Sequence, residues 1–208
     1  MAIQQFVLIL FLPFLIVELL YVQNDIQNEY YETTFDSTLH KRIYRISYSS
    51  IHTVELIESK GESYKGQLIT VMTRYRKRKS KDYIQRINIS DSSARRLMRD
   101  LEELNIETAE DCGSIMSPDY DCVGTLDGDG TGFVVQTHEV KRKYSFDGLY
   151  PGAKDFNHLP EKQKAAQRML NSVDEKFKLE KNLRNFMSQL PPGTYGYYGI
   201  NLITLKKR

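Results

Sequence analysis

A chain of 208 residues with 40% hydrophobic and 27% charged side chains has the composition of a folded domain, which excludes disordered and low-complexity proteins. The net charge of +2 hides an asymmetry. Residues 1–40 hold five acids (Glu18, Asp25, Glu29, Glu32, Asp36) and no Lys or Arg, so the remainder is net positive by seven, an excess too small to name an anionic partner.

The first element is a hydrophobic leader. Phe6 to Val17 is uncharged, and the apolar character continues past Glu18 to Val22. Twelve uninterrupted apolar residues suit a signal-peptide core, whereas a spanning helix needs about 20. No Lys or Arg precedes the core, and Glu18 to Glu32 contains no Ala, Gly or Ser, so the small-residue cleavage pattern is missing. An uncleaved or poorly cleaved membrane anchor is favoured over a cleaved signal peptide, with a buried N-terminal helix of a soluble domain as the third alternative. A polar, acidic spacer follows, and the expected division is leader 1–24, spacer 25–40 and a single domain 41–208.

Within that domain, Tyr44, Ile46 and Tyr48 alternate as in a strand, and HTVELIES continues the extended pattern. A turn is expected through Gly61 and Gly66. QLITVMTRY places Ile69, Val71, Thr73 and Tyr75 on one face, and DYIQRINIS completes a meander of three or four strands. The abundance of Tyr, 14 residues against no Trp, also suits sheet. Asp91 is the candidate N-cap of an amphipathic helix with Ala94, Leu97, Met98, Leu101 and Leu104 on its apolar face and Arg95, Arg96, Arg99, Glu102 and Glu103 opposite.

CVGTL and GFVVQTHEVKRKYSF form a second strand group. Residues 161–190 read as one long helix with stripes Leu170/Val173/Phe177 and Leu179/Leu183/Phe186/Leu190, stopped by Pro191–Pro192. YGYYGINLITL is expected as one closing strand. The fold class is therefore α+β: an antiparallel sheet in two strand groups, packed by two amphipathic helices, the longer one C-terminal, and preceded by the leader helix.

Few residues suggest chemistry. Cys112 and Cys122 are the only cysteines, ten positions apart, and with an exported leader they point to a disulfide worth about 2–3 kcal/mol. Asp127, Asp129 and Thr131 with Gly132 match positions 1, 3, 5 and 6 of a calcium loop, but position 12 is His138 with Glu139 one place late, so a Gly-rich hairpin turn is the preferred reading. Arg74, Arg76, Lys77, Arg78, Lys79 and Lys81, interleaved with Tyr75 and Tyr83, form the densest charge. At a hairpin tip this is a solvated turn or a partner surface, for anionic lipid, polysaccharide or an acidic protein rather than nucleic acid.

His40, His52, His138 and His158 fall in no metal or catalytic motif, and His52 and His138 read as sheet-surface residues. Asn88-Ile89-Ser90 matches a glycosylation sequon. No catalytic or metal-ligating residue and no cofactor is assigned. The function expected is a non-catalytic extracytoplasmic binding domain, secreted or tethered to a membrane through residues 6–22. It would recognise a protein or an envelope component in the manner of an inhibitor or immunity protein. The alternative is a small envelope hydrolase or metal-dependent enzyme whose residues, such as His138, Asp147 and His158, converge from distant positions.

Overall fold

The alternating runs of the first half become strands because one parity of each run meets an apolar layer of helices. The computed structural model describes residues 33–76, 79–112, 121–124, 130–197 and 201–206. The leader, most of the spacer, and Lys77, Arg78, Asp127 and Asp129 lie outside the described residues. The chain divides at Thr34 and Phe35 into two units, and every described strand and helix belongs to the unit from Phe35 to Arg208. Among the described residues no helix is long and apolar enough to cross a membrane.

Strands β1 (His40–Tyr48), β2 (His52–Ser59), β3 (Tyr64–Arg76) and β4 (Lys79–Ile89) form an antiparallel meander, followed by helix α1 (Asp91–Glu103). The hairpin of β5 (Thr131–Thr137) and β6 (Lys141–Phe146) adds to it by pairing β5 with β1. The two expected strand groups are thus one curled antiparallel sheet, and the class is α+β. After helices α2 (Glu161–Phe177) and α3 (Leu179–Gln189), a last hairpin of β7 (Gly193–Gly196) and β8 (Leu202–Leu205) pairs with the far end of β3. The sheet order is β6-β5-β1-β2-β3-β7-β8, with β4 on the opposite edge of β3.

The main core lies between the sheet and the helices. Tyr44, Ile46, Val54, Leu56, Leu68, Phe133 and Val135 meet Leu97, Met98 and Leu101 of α1 and Met169, Leu170, Val173 and Phe177 of α2. Each such side chain contributes about 1.5–3 kcal/mol through removal from water. In β3 the core parity is Leu68 and Met72, opposite to Ile69, Val71, Thr73 and Tyr75. A smaller cluster of Ile51, Met72, Leu183, Phe186 and Tyr195 holds α3 and β7 against the sheet.

Several expectations need correction. The long helix breaks at Lys178, which adopts a left-handed conformation (φ 48°, ψ 58°). Asp174 accepts the Leu179 N–H at 2.9 Å across the break, a local bond that offsets part of the roughly 1–2 kcal/mol such a residue costs. The break explains the two stripes: Leu170, Val173 and Phe177 enter the main core, whereas Leu183 and Phe186 enter the smaller cluster. Three helices are therefore described instead of two. The closing strand is a hairpin, and residues 121–124 form no strand.

Two further corrections concern local signals. Gly66 lies within β3, not in the turn, because a Cβ there would stand 2.7 Å from Ile89 Cγ1 and 3.1 Å from Leu56 Cδ2. The α1 cap is Ser90, whose hydroxyl accepts the Ser93 N–H at 3.3 Å. Asp91 instead accepts the Tyr64 N–H at 2.6 Å and ties the helix start to β3.

His52 is also misplaced by sequence reasoning. It is buried on the helix side of the sheet, with Nδ1 3.1 Å from Thr70 Oγ1. It belongs to a row directly opposed across strands: Thr131, Tyr48, His52, Thr70 and Gln85. His52 Nε2, Thr131 Oγ1 and Gln85 Oε1 are buried there without hydrogen-bond partners among the described residues. Burial lowers the His52 pKa to about 4, so the ring is neutral near pH 7.

Candidate functional site

The cysteines form the expected disulfide, Cys112–Cys122, with Cα atoms 5.5 Å apart. Cys112 is buried in the main core, so the bridge anchors the α1–β5 crossover to it. Gln163 of α2 holds the chain just after Cys122: it accepts the Val123 N–H and donates to the Val123 carbonyl, each at 2.8 Å. Nothing in the spacing of Gln163 announces this role.

The calcium reading loses two of its positions to the sheet. Thr131 and Gly132 belong to β5, opposite Tyr48 and Ser47, and a Cβ at Gly132 would stand 2.6 Å from Ser47 Oγ. Asp127 and Asp129 lie outside the described residues. Among the described residues no group of three or more His, Cys, Asp or Glu could hold a metal ion.

His138, Asp147 and His158 are not brought together by one element. His138 is exposed in the β5–β6 turn, whereas Asp147 follows Phe146, which pairs with Thr131 at the other end of that hairpin. Six residues of strand separate the two ends, about 20 Å. His158 lies exposed in the loop before α2.

The predicted basic surface is divided by the register. Arg74 opposes Lys81 and Arg76 opposes Lys79, which places the four described cations on one face of the β3–β4 hairpin. Arg76, Lys79 and Lys81 are exposed there. Lys81 Nζ sits 5.1 Å from the centre of the Tyr83 ring. Arg74 is different, since it is half-buried and donates to the Pro192 carbonyl. It fastens the α3–β7 connection and is not open surface. Tyr75, on the opposite face of the hairpin, is 52% exposed.

A second cationic surface was not singled out by the sequence. At the other end of the sheet Arg42, Glu58 and Tyr64 are directly opposed across β1, β2 and β3, and α1 lies above them. Arg42 binds Glu58, Glu102 Oε2 (3.0 Å) and Glu107 Oε1 (3.1 Å), and donates to the Tyr44 hydroxyl at 2.9 Å. Tyr44 in turn donates to Glu107. Lys41 Nζ and the Tyr64 hydroxyl reach Glu58 Oε1 at 2.9 and 3.0 Å.

This network shifts the titration of Arg42, Glu58 and Tyr44. Burial works against a charged Arg42, but its hydrogen bonds to Glu102 and Glu58 outweigh that and raise its pKa. Burial likewise pushes Glu58 up, and the hydrogen bonds from Lys41, Arg42 and Tyr64 more than reverse it, leaving the carboxyl below its ordinary value. Burial, reinforced by the hydrogen bond to Glu107, raises the Tyr44 hydroxyl.

Between this floor and α1 lies a groove of about 470 Å³ lined by Arg95, Arg96, Arg99, Ser92, Tyr64 and the Arg42–Glu102 pair. Arg95 lies over the Tyr64 ring, 4.7 Å from its centre, and donates to the Glu62 carbonyl at 3.3 Å. Arg99 reaches Glu103 only at 3.8 Å. The Arg96 side chain makes no hydrogen bond or ion pair among the described residues. A smaller hollow of about 390 Å³ beside Cys112 mixes both signs, with Lys162 paired to Glu110 and Asp121 across 3.4 and 3.1 Å. It is therefore largely neutralised from within.

Comparison with known protein families, with characterised proteins and with solved structures finds no match. The site therefore stands on its own residues.

Proposed function

We propose that the chain is a non-catalytic extracytoplasmic binding domain, secreted or held at a membrane by residues 6–22, that recognises a protein or an envelope component. The observation that carries this reading is the hairpin end of β3 and β4. Arg76, Lys79 and Lys81 stand exposed on one face and Tyr75 on the other, and Tyr and Arg are residue types enriched at contact surfaces. The Cys112–Cys122 bridge adds support for an oxidising compartment. Contact chemistry of this kind needs no reacting group, only complementary shape and charge.

The test is site-specific photo-crosslinking from position 76, on the same face as Lys79 and Lys81, in the full chain. A single adduct is expected, lost in Lys79→Glu/Lys81→Glu and kept in Arg184→Glu, which changes charge on α3. Absence of any adduct, or adducts insensitive to both variants, would contradict the proposed contact surface. A reporter fused after residue 40 that works only in the cytoplasm would remove the extracytoplasmic part.

A further inference from the structure

We propose that the α1 groove is a binding site for an extended acidic peptide, gripped through its carboxylates by Arg96 and Arg99 over the Arg95–Tyr64 stack. The site rests on the reading of the domain as a binding module, but it uses residues distinct from the hairpin end.

Four observations carry it. The first is concavity: about 470 Å³ is within the range of ligand-sized clefts and holds a few side chains. The second is the type of cation. Every cation on the groove wall is arginine, whose planar fork matches a carboxylate with two parallel hydrogen bonds, while lysine offers a point charge.

The third is spacing. Ser92, Arg95, Arg96 and Arg99 recur at three- and four-residue intervals, so neighbouring positions on this helix face lie about 5–6 Å apart. An extended peptide sets alternate side chains about 6.6 Å apart on one side, so acids at every second position meet successive arginines.

The fourth is the mixture of polar groups. Glu102 and Ser92 line the groove beside the arginines, and their oxygens accept hydrogen bonds. Peptide N–H groups supply donors to them. A polyphosphate offers them almost no donors at neutral pH and lacks the regular row of N–H groups that a peptide backbone brings. The floor is also preformed, because Arg42 is held by Glu58, Glu102, Glu107 and Tyr44. Ordering on binding is then confined largely to Arg96 and Arg99.

The experiment is fluorescence anisotropy of the full chain in detergent, with a labelled peptide of alternating glutamate and glycine. Arg96→Glu and Arg99→Glu should each weaken binding by about tenfold or more, while Arg184→Glu and Lys81→Glu, with the same charge change elsewhere, should stay within about twofold. Circular dichroism should show all four variants folded, as these side chains are exposed. Three results would overturn the site: no saturable binding by the unmodified chain, an equal loss in Arg184→Glu, or displacement by tripolyphosphate at lower concentration than by unlabelled peptide. Loss in Lys81→Glu but not in Arg96→Glu would also reject the groove. That last result would leave the binding reading standing, with the hairpin as its surface.

Discussion

At the far end of β3, where β4 and β7 flank it, the exposed cations Arg76, Lys79 and Lys81 make few commitments to the rest of the fold. At its near end other cations line a hollow roofed by α1 and floored by Arg42, Glu58 and Tyr64. Lys81 has a ring for a neighbour, whereas Arg42 has three carboxylates and a phenol. The difference teaches that density of positive charge along a sequence is a poor guide to how much structure a cation is built into. The hairpin can change sign at little cost to folding. The groove cannot lose its floor without loosening the join between the sheet and α1.

The sharpest way to break this contrast is Arg42→Ala. Its side chain is 14% exposed and that of Glu58 only 4%, so truncation leaves a buried carboxylate short of a partner. A loss of about 3–5 kcal/mol is expected in urea unfolding. An effect no larger than that of a hairpin lysine would show that the network is decorative.

Midway along β3 the contrast can be tested by pH. His52 is neutral in the fold with a pKa lowered to about 4, and unfolded it titrates near 6.5. The unfolded chain therefore binds the proton first, so stability is full above about pH 6.5 and declines by about 3 kcal/mol as pH falls towards 4. Glu58 adds a separate loss at lower pH. Its folded pKa lies below the ordinary value, so its contribution is present above that value and disappears as pH drops through the folded one. Replacing His52 with Gln should flatten the first segment and leave the second; an unchanged profile would refute the assignment.

Reduction of Cys112–Cys122 should cost about 2–3 kcal/mol, read as a shift in urea midpoint beside the appearance of two alkylatable thiols by mass spectrometry. Thiols already free in the non-reduced protein would remove this tether of the α1–β5 crossover. Smaller again is Ser90→Ala, which removes the cap of the helix bearing the arginines and should cost about 1 kcal/mol. Lys79→Glu, at the hairpin, should move stability by no more than about 0.5 kcal/mol.

How much could be read in advance depends on the range of the interaction. Extended and alternating runs located β1 to β4, and the apolar positions of α1 located its buried face, because both are written within a dozen residues; the stretch holding β5 and β6 read as strand without its break at residues 138–140. The break at Lys178 was not legible: no Gly or Pro marks it, and it arises where two stripes are drawn to two separate clusters. Arg95, Arg96 and Arg99 were visible as the polar face of a helix, but Arg42 and Tyr64 lie far away in sequence. Only the pairing of β1, β2 and β3 lines them up beneath α1. His52 looked like a surface residue for a related reason, since one parity of β2 is covered by helices that only the tertiary fold brings to it.

The most direct measurement for the two-surface account is amide hydrogen exchange of the full chain with and without saturating alternating glutamate–glycine peptide. The account predicts slower exchange at the Ser59–Tyr64 turn and along α1, and no change at residues 79–83. Protection confined to the β3–β4 hairpin, with α1 unaffected, would contradict it.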